Sequence, residues 1–141
     1  MTTPEPASAP LAALKQALRA HAGLRVEETP DAVVVKTQDA AGFDVGLSRN
    51  EDGYTVSFDG WHEHFAPDDG KTAIACFAHG LSGQARLCVL ARGGFDYRWT
   101  LESFEDGAWR EDSTTGLLLF PFWRKRTARH LRNPERSLRL A

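Results

Sequence analysis

The sequence predicts an α+β domain, a mainly antiparallel sheet of about six to eight strands packed with two or three helices. Three observations carry that expectation. Apolar residues recur at helical spacing in two stretches, short alternating runs fill most of the remainder, and the turns between those runs are too tight for the crossovers a parallel sheet requires.

Met1 to Pro10 holds prolines at 4, 6 and 10 among small polar residues, so residues 1–10 are expected to be a disordered lead. Leu11, Leu14 and Leu18 then recur three and four apart in an alanine-rich run that ends at Gly23, which predicts a first helix over Ala9 to Ala22. After Gly23 the period shortens. Leu24 to Glu28 and Ala32 to Thr37 read as strands split by the turn residues Thr29-Pro30-Asp31. Phe43, Val45 and Leu47 alternate with polar or small residues, Asn50 to Gly53 supplies a turn, and Tyr54, Val56 and Phe58 alternate again. This is a hairpin with one buried face.

Pro67 to Leu81 predicts the second helix, with Asp68 or Asp69 as cap, a stripe of Ile74, Phe77, Ala78 and Leu81, and a stop at Gly80 or Gly83. Gln84 to Ala91 and Phe95 to Ser103 follow as strands around Arg92-Gly93-Gly94, and Ala108 to Asp112 follows the Glu105-Asp106-Gly107 turn. Leu117 to Phe120 reads as the last strand. Phe122 to Arg132 reads as a short basic helix halted before Pro134. Residues 11–133 thus form a single domain, and residues 134–141 a basic tail.

With 42% apolar and 26% charged residues in 141, the chain lies outside the disordered regime and is long enough to bury about two thirds of its unfolded surface. The longest apolar run, Leu117 to Trp123, is far too short to span a bilayer, so no membrane partner is expected. The first ten residues lack the basic start and apolar centre of a secretory signal, and a cytoplasmic location is expected. Cys76 and Cys88 lie in apolar segments and are read as reduced core residues. Charge is uneven: residues 1–120 carry 10 basic and 18 acidic side chains, whereas residues 121–141 carry 7 basic and one acidic.

Three constellations bear on function. In an extended Trp61-His62-Glu63-His64 segment the two imidazoles share a side, and Cys76 and His79, three apart on the second helix, share another, so His62, His64, Cys76 and His79 form a candidate zinc set. Asp59 or Glu63 could replace the thiolate and leave a position for an activated water. Against this, a small thiol packs well in a core without any metal, and His-x-His spacing is common by chance. Second, Tyr97 and Trp99 share a strand face with Phe95 and Leu101. With Trp61, His62 and His64 they are candidate ligand-binding residues, and Arg86, Arg92 or Arg98 could orient an anion; the plainer reading is that the aromatics fill the core. Third, Arg124 to Arg132, with Arg136 and Arg139, is a cationic stretch, but the order of elements fits no nucleic-acid module and the body is acidic, so no nucleic-acid partner is expected. Leu131, Leu138 and Leu140 suggest that the tail packs back or meets a partner.

Nucleophile elbow, phosphate loop, dinucleotide fingerprint and HExxH signatures do not occur. The function expected is therefore a non-enzymatic binding or protein-interaction module without cofactor, self-associating or meeting a protein partner. The alternative is a small zinc-dependent hydrolase built on His62 and His64. In element order alone, helix, strands, helix, strands is similar to small secretion-chaperone-like proteins, which bind partner polypeptides.

Overall fold

The computed structural model describes residues 9–135. The elements run α1 (Ala9–Arg19), β1 (Arg25–Thr29), β2 (Ala32–Lys36), β3 (Val45–Asn50), β4 (Gly53–Phe58), β5 (Trp61–Phe65), α2 (Gly70–Leu81), β6 (Ala85–Arg92), β7 (Phe95–Glu105), β8 (Ala108–Gly116) and β9 (Arg126–Arg132). The class is α+β and antiparallel as expected, but the strands divide into two sheets, one of order β1-β2-β3-β4-β5 and one of order β8-β7-β6-β9. The division follows from α2: β5 pairs back onto β4, and the helix then carries the chain away before β6 starts a second meander.

The β3–β4 hairpin has the expected register, Val45 opposite Phe58 and Leu47 opposite Val56. Its turn is closed by the Asp52 N–H donating to Asn50 Oδ1 and by Gly53 at φ 131°, a conformation that favours glycine. Leu11, Leu14 and Leu18 of α1 and Ala73, Phe77 and Leu81 of α2 bury against the inner face of the first sheet. The buried stripe of α2 includes Gly80, and Ile74 and Ala78 are only half-buried. Gly80 continues the helix instead of ending it, because a bare Cα is what lets α2 rest on the ring of Phe58. The helix ends at Leu81 with Ser82 as its cap, and Gly83, at φ 80°, turns the chain away.

The second sheet turns Ala85, Leu87, Val89, Leu101 and Leu131 into the same core. His62 and His64 lie on a fifth strand, in the extended conformation expected. Two expectations fail here. Leu117 to Phe120 is not a strand, and Phe122 to Arg132 is not a helix. Instead β9 pairs antiparallel with the free side of β6, Leu131 opposite Leu87 and Ala128 opposite Leu90. A helix there would have left β6 with an open edge; as a strand, the segment satisfies that edge and buries Leu131. Ala9 and Pro10 open α1, proline being tolerated in a first turn, while the remainder of the expected lead (residues 1–8) and residues 136–141 of the expected tail lie outside the described residues.

Candidate functional site

The strand period settles the histidine cluster. Val56 pairs with Glu63 and faces the core under α2, so Thr55, Ser57, His62 and His64 face the opposite, open side of the sheet. The two imidazoles lie edge to face at 5.3 Å, and His64 Nδ1 shares a 2.8 Å hydrogen bond with Thr55 Oγ1. Cys76 and His79 belong to α2, on the core side. Cys76 is half-buried and burial pushes its thiol up to about 12, while His79 Nε2 is hydrogen-bonded to Ser103 Oγ at 2.9 Å. The candidate set His62, His64, Cys76 and His79 is therefore split by the sheet itself. Among the described residues no three His, Cys, Asp or Glu side chains converge as a metal site.

The candidate ligand residues are likewise distributed. Trp61 is fully buried, stacks on Phe58 at 4.7 Å and donates Nε1–H to Ser113 Oγ, tying β5 to β8. Beside it the His62 N–H donates to Thr115 Oγ1. The Trp99 ring covers Gly60 at the β4–β5 turn, where a Cβ would collide with it. Tyr97 is buried and stacks on Phe120 at 4.2 Å. Trp61 and Trp99 join the sheets and fill the space between them, whereas Tyr97 packs under the segment that follows β8. A cleft of about 430 Å³ lies elsewhere, at the β3–β4 turn between Arg49, Glu51, Tyr54 and Pro67, and Arg49 is held there by Asp31 at 2.9 Å.

Of the arginines considered as anion guides, Arg86 and Arg92 have contacts within the fold. Arg86 pairs with the buried Glu102 at 3.1 Å and lies over Trp109, which Arg132 also approaches. Arg92 donates to the Arg124 carbonyl. Cys88 is not in the core: opposite Thr100 and His130, it lies on the outer face of the second sheet, half-buried.

What the sequence reading missed is the segment joining β8 to β9. These are the two edges of the second sheet, so the connection must cross the ends of β7 and β6, a span of about three strand spacings or ~14 Å. It is pinned there by the Leu117 N–H donating to the Tyr97 carbonyl and the Gly93 N–H donating to the Lys125 carbonyl. Only Phe120 turns inward. Leu118 and Leu119 are 96% and 88% exposed, Phe122 and Trp123 69% and 72%. Phe95, at the neighbouring β6–β7 turn, is also exposed, so apart from Phe104 the exposed large apolar side chains of the described residues gather at one end of the sheet. The signal was present as the longest apolar run of the chain, but apolar runs of that length more often denote a buried strand.

Comparison of the chain with protein-family models, with curated proteins and with solved structures finds no match.

Proposed function

We propose that this chain is a non-enzymatic binding module that engages its partner through the loop Leu117 to Trp123. The observation that carries the reading is the exposure of Leu118, Leu119, Phe122 and Trp123 side by side on a molecule whose other large apolar groups are mostly packed. Contiguous apolar surface of this kind marks an interaction site in a protein that must otherwise stay in solution. The hydrolase alternative is left with two imidazoles on an open sheet face, half the ligands zinc requires.

Hydrophobic-interaction chromatography provides the test. The wild type is expected to be retained on a phenyl matrix, and a Leu118→Asp, Leu119→Asp variant of unchanged melting temperature to elute clearly earlier. Equal elution would sink the reading. Stoichiometric zinc in the purified protein, lost in a His62→Ala, His64→Ala variant, would replace it with the hydrolase.

A further inference from the structure

Resting on that reading, the charge around the loop names the partner. No Asp or Glu occurs from Ser113 to Pro134, a stretch that carries Arg124, Lys125, Arg126, Arg129 and Arg132. In the fold Arg124, Lys125 and Arg126 join others, while Arg132 stands at the opposite end of β9, across from Arg86. Arg92, on β6, pairs with both Phe95 and Arg126, and Arg98 stands opposite Gly116, so Arg92, Arg98, Arg124, Lys125 and Arg126 lie towards the end of the second sheet that carries the exposed loop. Asp96, on β7 at that end, is neutralised by Arg129 through two contacts of 2.7 Å. The far end of the same strands is of mixed charge, with Arg86, Arg110 and Arg132 among Glu102, Glu105 and Asp106. The excess of basic side chains is therefore at the end that carries the exposed loop.

We infer that the loop Leu117 to Trp123 inserts at the surface of an anionic lipid bilayer, with Arg92, Arg98, Arg124, Lys125 and Arg126 against the headgroups. Two features favour a bilayer over other anionic surfaces. Leu118 and Leu119 project from the fold almost wholly exposed, and aliphatic side chains gain nothing against phosphates and sugars but gain from acyl chains. In the sequence the exposed Phe122 and Trp123 separate those leucines from Arg124 and Lys125, so aromatic rings of the kind enriched at membrane interfaces adjoin the basic residues. Such docking is interfacial, so the absence among the described residues of a helix long and apolar enough to cross a membrane does not bear on it.

The experiment is co-sedimentation of the full chain with vesicles of phosphatidylcholine alone or with about 30 mol% phosphatidylserine, with sedimentation velocity of the lipid-free protein in parallel. The expected result is binding to phosphatidylserine vesicles at about 0.1 M salt that weakens severalfold at about 0.5 M, since exposed charges are screened there. A blue shift in tryptophan emission, lost in Trp123→Phe, should accompany it. Leu118→Asp with Leu119→Asp, and separately Arg124→Glu with Lys125→Glu, should each reduce binding about tenfold or more, and all four positions are exposed, so folding is not at stake. Failure to bind phosphatidylserine vesicles, or equal binding to both vesicle types, overturns the proposal. If the lipid-free chain proves to be a dimer that the leucine variant dissociates, the occupant is a second copy. In that case the membrane is wrong while the binding-module reading stands. Loss of phenyl-matrix retention as well would remove both.

Discussion

The ring of Phe58 lies against Phe43 at 5.3 Å and Trp61 at 4.7 Å, with Gly80 of α2 directly over it. Truncation would empty the centre of the core, so Phe58→Ala is expected to cost about 3–5 kcal/mol in denaturant melts, and a loss below about 1 would contradict this packing. Alternation along the hairpin was enough to identify Phe58 in the sequence. Gly80 was not legible in the same way: a glycine near a helix end usually stops it, and nothing in the one-dimensional pattern says that a ring will press on its Cα. His79 offers a residue-scale test with a sign. Burial lowers its pKa below the ordinary 6.5, against the opposing field of Asp112 and Glu105. The unfolded chain therefore takes up the proton first as pH falls, and stability held above about pH 6.5 is lost on acidification towards the depressed folded value. His79→Gln, which keeps a partner for Ser103, should flatten the melting-temperature profile between about pH 7.5 and about pH 5.5 relative to wild type. Identical slopes would show that His79 stays as readily protonated in the fold as out of it.

Elements defined by alternation and tight turns, β1 to β4 and β6 to β8, were legible within a few residues, because local pattern and pairing agree. The end of the chain was not. In Arg126 to Arg132 the basic residues conceal the period of two, and only the open edge of β6, a long-range fact, makes that segment a strand. The distance between the two halves of the zinc set was hidden for a related reason, since spacing shows which side chains share a face but not that α2 covers the other one. Asn133, just beyond β9, locks the misread strand in place. Its Oδ1 accepts from the Phe43 N–H at 3.0 Å and its Nδ2–H donates to the Gly80 carbonyl at 2.9 Å, both buried. Asn133→Ala leaves a buried donor and a buried acceptor without partners, a loss of about 2–4 kcal/mol by chemical denaturation. A near-neutral effect would mean that β9 is secured by its ladder alone.

At the scale of the whole molecule, the uneven charge of the sequence was visible as a number but not as a place; Arg124, Lys125 and Arg126, read as part of a helix, stand instead at one end of the second sheet. The division into two sheets raises the question of whether they behave as one body. Val33, Val45 and Val56 of the first sheet and Leu87, Val89 and Leu131 of the second belong to one buried cluster, bridged by Phe77 of α2 and by Trp61. Polar ties reinforce the junction where Trp61 reaches Ser113 and His62 reaches Thr115. The sheets depend on one another: apart, the first would expose Trp61 on β5, and the second would expose the inner face of β6. The chain should consequently unfold in a single transition, with circular dichroism and tryptophan fluorescence tracing superimposable curves in denaturant. Leu87→Ala, in the second sheet, should move both curves together by about 2–5 kcal/mol. Two resolved transitions, or a Leu87→Ala shift confined to one probe, would establish that the sheets fold separately and that the core at their junction is not what holds them together.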